Sequence, residues 1–455
     1  MQIRFDRGTL VLDPSSSELN PKELPGVLRD PRDGSWRIPA NDYAALIGRM
    51  TDNNVQFSDE VPDSRADTAC WSMPELRWYQ RQGLSAWIAA GRRGVIVLPT
   101  GAGKTIVAAA AIATCGVASL CLVPTRVLLE QWAKSIGDFM PKPGRIGDGE
   151  RLIAPVTIAT YASAVTWAPR IGDKFGLVVV DEAHHVGASC PIEVLEMLVA
   201  SARLGLTATP PEAGSNRLET LVGPVVYQLG VEDLAGDALA DFELISVPIR
   251  LTPVERANYN AARAAFSIAY TAFQKAVPGE TWNTFVASAM RSETGRQALA
   301  GWRMSRELLA YPEHKRRVVG SLLARHANRK TLIFTQDTAS AYKIASEFLV
   351  YPITHEIGRR EREFALMRFR SGEANVLVSA QVLDEGLDVP EADVAIIVGG
   401  TSSSRRYVQR IGRVLRPADG KRALVYELVV AQSVEEQYMR KRRGTHFRAT
   451  EEQRL

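Results

Sequence analysis

The stretch Val95-Ile96-Val97-Leu98-Pro99-Thr100-Gly101-Ala102-Gly103-Lys104-Thr105-Ile106 decides the fold. Its first four residues form an apolar run of the kind that becomes a buried strand, and Ile106 to Ile112 continues in a helix-forming pattern. Between them, a glycine-rich turn brings backbone N–H groups at a helix N-terminus against an anion, while Lys104 reaches the outer phosphates of a nucleotide. Thr105 carries the hydroxyl expected on Mg²⁺. The longer form of this loop has a glycine where Leu98 stands, so the sequence carries the shorter Thr-Gly-x-Gly-Lys-Thr version. Thr100, Gly101, Ala102, Gly103, Lys104 and Thr105 are thus the expected cradle for ATP.

Downstream, Leu177-Val178-Val179-Val180 runs straight into Asp181-Glu182-Ala183-His184. A buried strand ending in two carboxylates sets them at the carboxyl edge of an open α/β sheet, where ligands collect. Asp181 is expected to hold Mg²⁺ through its water shell and Glu182 to orient and deprotonate the attacking water. Helix-capping acids would look similar in isolation, but the phosphate loop upstream weighs against that reading. Adjacent histidines rarely face one metal ion, so His184 is assigned to coupling. Upstream of the loop, Leu76-Arg77-Trp78-Tyr79-Gln80 places Gln80, with Arg77 beside it, as the residue expected to pair with the adenine edge.

Working outward, short Val, Ile and Leu runs alternate with helical stretches, the pattern of a parallel α/β sheet. Candidate strands are Val95–Leu98, Ser119–Val123, Val156–Ile158, Leu177–Val180 and Arg203–Leu206, then Thr331–Phe334, Val376–Val378, Val394–Val398 and Ala423–Glu427. Two series imply two lobes. The first sixty or so residues read as a small α+β module, with Ser58 to Thr68 as the linker after it. Leu251 to about Trp302 reads as a helical insert, its aromatics forming a core in preference to base-stacking platforms. The basic run Arg440-Lys441-Arg442-Arg443 reads as a solvated helix face.

Apolar residues make up 46% and charged residues 23% of the 455, as in ordinary globular proteins, so disordered and fibrous classes are excluded. No apolar run is long enough to span a membrane and the N-terminus lacks a secretion pattern, so the expected compartment is the cytoplasm. The four cysteines stand singly, which argues against a zinc or disulfide framework. A formal charge of +4 permits a polyanionic partner without requiring one.

Taken in order, Tyr79-Gln80, Gly101-Ala102-Gly103-Lys104-Thr105, Val123-Pro124-Thr125-Arg126, Asp181-Glu182-Ala183-His184, Thr207-Ala208-Thr209 and Gln409-Arg410-Ile411-Gly412-Arg413 resemble the motifs of superfamily 2 helicases. Asp181 to His185, Gln381 to Pro390, and Tyr407 to Pro417 are similar to the XPB helicases, particularly archaeal ones. The resemblance implies two RecA-like lobes with an N-terminal damage- or distortion-sensing module and a thumb-like insert. It divides the chain at 1–62, 63–245, 246–310 and 311–455. It also implies a DNA-dependent ATPase with 3′→5′ polarity in repair or transcription, working as a monomeric motor on duplex, forked or distorted DNA, with a nuclease as a possible partner.

Site residues follow from the same resemblance. Arg413 and Arg416 would act as arginine fingers, and Gly386 and Asp388 would meet the nucleotide. Thr125, Arg126, Thr160, Thr335 and Ser379 would lie along nucleic-acid phosphates, while His184, Thr207, Thr209 and Gln409 would couple the lobes. The family commonly has an Arg-Glu-Asp triplet for strand opening after Thr-Ala-Thr; here Pro210-Pro211-Glu212-Ala213-Gly214 follows, which points toward translocation with little unwinding. An RNA-directed helicase and a non-catalytic nucleotide-gated clamp or scaffold are the alternatives, and the presence of Lys104, Glu182, Arg413 and Arg416 argues against the second.

Overall fold

Strands buried on both faces account for the Val, Ile and Leu runs. The computed structural model describes residues 1–13, 24–209, 216–230, 232–234, 241–380, 392–399 and 422–446. Within it, Ser119–Val123, Val156–Thr160 and Leu177–Asp181 are buried at every position. The chain divides into two compact units, Met1–Asp233 and Leu234–Leu455.

The first unit begins with β1 (Gln2–Asp6), β2 (Thr9–Asp13), β3 (Leu28–Arg29), β4 (Trp36–Pro39), α1 (Tyr43–Asp52) and β5 (Ser58–Asp59), in the sheet order β3-β4-β2-β1-β5. Helix α1 places Leu46 and Met50 in one core with Ile3, Leu10 and Ile38. The expected linker therefore starts too early. Ser58 donates to the Met1 carbonyl at 2.8 Å and Glu60 to Ile3 at 2.9 Å, a parallel edge pairing hidden by the polar composition of these residues.

Next come α2 (Trp78–Ala89), β6 (Arg93–Val97), α3 (Lys104–Cys115), β7 (Ser119–Val123), α4 (Arg126–Gly137), β8 (Gly144–Gly147), β9 (Glu150–Leu152) and β10 (Val156–Thr160). They are followed by α5 (Tyr161–Ile171), β11 (Leu177–Asp181), α6 (Ile192–Glu196), β12 (Ala202–Thr207), α7 (Asn216–Leu221) and β13 (Val225–Gln228). The sheet order is β13-β6-β12-β11-β7-β10-β8-β9, parallel except where β9 returns on β8. The loop after β6 and the turn after β11 thus open at the same carboxyl edge, with β12 between their strands.

The N-terminal module is not a separate bead on a linker. Val199, which precedes β12, belongs to the module's own core, and Gly8 packs so closely on Met197 that a Cβ there would stand 2.5 Å from the Met197 side chain. Gly8 also has φ +88°, so its lack of a side chain is required twice over.

In the second unit, β14 (Asp241–Ile249) leads to α8 (Pro253–Ala276), α9 (Trp282–Ala289), α10 (Glu293–Ala310) and α11 (Glu313–Arg325). Then follow β15 (Thr331–Thr335), α12 (Thr338–Phe348), β16 (Tyr351–Ile353), α13 (Arg359–Ser371), β17 (Val376–Ala380), β18 (Val394–Ile397), β19 (Arg422–Val430) and a C-terminal helix, Val434–His446. The sheet, β14-β19-β18-β15-β17-β16, is wholly parallel among the described strands. Because β14 pairs with β19 along its full length, the expected division at 245/246 falls inside a strand of the second sheet.

Thr252 and Glu255 form a reciprocal capping box that starts α8. Phe266 and Phe285 are buried among Tyr270, Phe273, Trp282 and Trp302, so these aromatics form the insert's core. No helix among the described residues is long and apolar enough to cross a membrane.

Candidate active site

Helix α3 starts at Lys104, and Gly103 before it is left-handed (φ +75°, ψ +42°). The first N–H groups of a helix have no intrahelical acceptor, so those of Lys104 and Thr105 are available to an anion. Lys104 Nζ lies 3.5 Å from the Leu98 carbonyl, a weak contact that leaves the ammonium at the mouth of the loop.

The loop is propped from α2. The Tyr79 hydroxyl donates to the Ala102 carbonyl at 3.0 Å, and Gln80 Nε2 donates to the same oxygen at 2.9 Å. Gln80 Oε1 accepts from the Arg77 N–H at 2.9 Å. Both ends of the Gln80 amide are therefore engaged by protein, and the residue expected to read adenine is placed as a strut under the phosphate loop. Arg77 enters as the cap of α2.

At the end of β11, one strand removed from β6, Asp181 is buried. Its Oδ1 accepts from the Glu182 N–H at 3.0 Å and its Oδ2 from the Trp132 indole N–H at 3.0 Å; the Tyr161 hydroxyl donates to its main-chain oxygen. Burial raises the Asp181 carboxyl to about 7, the nearby Glu182 charge adding to the rise, while Lys104 and the two N–H donors oppose it. A bound cation would restore the charged form.

Glu182 has φ +49°, a left-handed conformation uncommon for a side-chain-bearing residue and frequent at functional turns. Its Oε2 is buried and accepts no hydrogen bond among the described residues, an unspent acceptor of the kind a general base needs. His184 Nδ1 lies 3.5 Å from that oxygen and 2.6 Å from Thr207 Oγ1. The Thr207 hydroxyl also lies 3.0 Å from the Thr209 carbonyl, and the imidazole tautomer sets whether Nδ1 of His184 donates to Thr207 or accepts from it. One chain of contacts therefore joins Glu182, His184, Thr207 and Thr209.

Residues 3–61 match the Xeroderma pigmentosum group B helicase damage recognition domain, 73–212 the type III restriction enzyme res subunit, and 314–418 the helicase conserved C-terminal domain. The chain is 35% identical to the DNA 3'-5' translocase XPB2 of Sulfurisphaera tokodaii over 90% of its own length and 95% of that protein. The chain belongs to the XPB family of helicases. A second XPB, the DNA 3'-5' helicase of Mycobacterium tuberculosis, is 31% identical over 80% of this chain but 62% of its own length. The eight-stranded and six-stranded sheets belong to the two RecA-like lobes of the helicase fold. The Pyrococcus furiosus Hef helicase domain superposes with TM-score 0.54 at 19% identity, covering 80% of this chain and 98% of that one. Dbp5 of S. cerevisiae gives TM-score 0.54 at 17% identity over 83% and 89%.

Of the residues the XPB resemblance assigns to nucleic acid, Thr125 and Thr160 cap α4 and α5, accepting from Leu128 N and Ser163 N at 3.3 Å each. Arg126 is exposed and pairs with Asp148 at 2.8 Å. Thr335 and Ser379 have no exposed surface; Thr335 Oγ1 donates inward to Asp337 O at 2.9 Å. Both side chains are buried within the sheet of the second unit. Gly386, Asp388, Gln409, Arg413, Arg416 and the Pro210 to Gly214 segment lie outside the described residues. Trp132 and Tyr161 are not legible as site residues, since an aromatic at an apolar helix position reads as core, and Tyr79 is legible only as part of a motif, without a role.

Proposed function

We propose that this chain is an ATP-driven DNA translocase, moving 3′→5′ on duplex, forked or distorted DNA in repair or transcription. The observation that carries the reading is one carboxyl edge holding an α3 N-terminus with Lys104 beside the buried Asp181 and an unspent Glu182 acceptor. The backbone amides and Lys104 bind the triphosphate, Thr105 and Asp181 hold Mg²⁺, and Glu182 takes the proton of the attacking water. A magnesium ion held by Thr105 and Asp181 would supply positive charge to the phosphates.

Hydrolysis also needs cations on the γ-phosphate beyond Lys104, a role we give to Arg413 and Arg416. Glu182, through His184 and Thr207, is linked to Thr209, which follows β12 and directly precedes Pro210 to Gly214. Because that segment lacks the Arg-Glu-Asp triplet, we assign movement and duplex remodelling in place of strand opening. The names of the relatives support DNA as the track. ATP turnover measured across intact, bubbled, forked and single-stranded DNA and RNA tests the reading: the greatest stimulation by RNA would refute it.

A further inference from the structure

Two ties to Asp181 come from outside its own strand. The Glu182 N–H on Oδ1 belongs to the next residue and moves with the carboxylate. The Trp132 indole on Oδ2 comes from α4, and the Tyr161 hydroxyl on the main-chain oxygen comes from α5. Both rings are buried.

Those helices begin at the caps Thr125 and Thr160, with Arg126 exposed beside the first. Tyr161 directly follows its cap, and at the helical rise Trp132 lies about 9 Å along α4 from Arg126. Strand β7, which feeds α4, pairs directly with β11, and β10, which feeds α5, pairs with β7. A tilt of α4 would pull on Oδ2 while Oδ1 stays with its own turn, and so would rotate the carboxylate plane.

We propose that Trp132 and Tyr161 are positioning residues that transmit nucleic-acid occupancy at the N-termini of α4 and α5 to the orientation of the magnesium-holding carboxylate of Asp181. This rests on the translocase reading above. Phosphates gripped at Thr125, Arg126 and Thr160 shift the two helices, and the indole and phenol set Asp181 for hydrolysis.

The alternative is that both rings merely satisfy their polar tips in the core. Steady-state ATP turnover by the full chain, with Mg²⁺ titrated and a duplex oligonucleotide present or absent, separates the two. Trp132→Phe removes the donor and keeps an aromatic ring. We expect the duplex stimulation ratio to fall about tenfold, the scale of one hydrogen bond to a charged group. We also expect the Mg²⁺ concentration that half-saturates equilibrium binding of ATP, with duplex bound, to rise.

Tyr161→Phe, which deletes one oxygen, should move both readouts in the same direction and carries the test if Trp132→Phe melts early. Rates that fall in proportion with and without duplex, at unchanged Mg²⁺ dependence, would overturn the coupling alone. A wild-type chain inert toward ATP would overturn the translocase reading and the coupling with it.

Discussion

Gln80 and Gly103 are in such close apposition that a Cβ on Gly103 would stand 2.5 Å from Gln80 Nε2, the same nitrogen that bonds the Ala102 carbonyl. The amide is held at its other end by the Arg77 N–H, so it cannot swing aside cheaply. The phosphate loop therefore owes its shape to α2 as well as to its glycines. We expect Gln80→Ala to raise the KM for ATP and for other nucleoside triphosphates by a similar factor, about tenfold for the lost loop support. Turnover measured with ATP and GTP decides the point, and a loss confined to ATP would instead favour adenine reading.

Glu182 is partly exposed but its Oε2 is buried and unspent, and replacing the residue by glutamine keeps the shape while removing the base. Turnover should fall by about 10²–10⁴ for loss of a positioned general base, with nucleotide affinity near that of the wild type. Equilibrium binding and single-turnover hydrolysis check both halves. Turnover within threefold of the wild type would remove Glu182 from the chemistry.

The contact between Gly8 and Met197 predicts that the N-terminal module cannot be altered without cost to the first lobe. Gly8→Ala meets both a positive φ and the Met197 side chain, and should destabilise the first unit by more than about 1 kcal/mol. Adding Met197→Ala should relieve the clash and leave the backbone strain. Thermal melting of the single and double variants reads this; no change in the single variant would show that the module sits free of the lobe.

Lys315 in α11 and Glu435 in the C-terminal helix form a buried ion pair at 2.7 Å, with Lys315 also donating to the Leu309 carbonyl. Lys315→Met strands the Glu435 carboxylate and should destabilise by about 3–5 kcal/mol. Adding Glu435→Gln removes the buried charge but keeps an acceptor for the Val430 N–H, so most of the loss should return. Melting temperatures of the two variants in one buffer are the measurement, and equal losses would refute the stranded-charge account.

Much of this architecture is legible in the residues, because a parallel sheet covered on both faces writes itself as apolar runs. Ser119–Val123 is recovered end to end, and Leu177–Asp181 runs one residue beyond the expected strand. Edge elements are another matter. Ser58–Asp59 pairs through backbone alone, and β16 is a three-residue strand containing Pro352, so neither leaves a hydrophobic signature.

At the candidate site, the glycines, Lys104, Asp181 and Glu182 are picked out in the sequence by their chemistry. Trp132 and Tyr161 do not, since what matters in them is one polar atom on a ring that composition assigns to the core. Gln80 was visible, yet its engagement by Arg77 and Ala102 depends on how α2 meets the loop. Thr335 and Ser379 show the converse: small hydroxyl residues at strand ends look ready for phosphate, and here their side chains face inward.

The central claim is that ATP bound at Lys104 is hydrolysed in response to DNA. The most direct test is MgATP turnover by the full chain with and without duplex DNA, compared with Lys104→Ala and Arg413→Ala. The account requires duplex-stimulated turnover in the wild type and its loss in both variants while DNA binding persists. Stimulated turnover that survives Lys104→Ala, or a wild type that stays inert with every DNA offered, would contradict it.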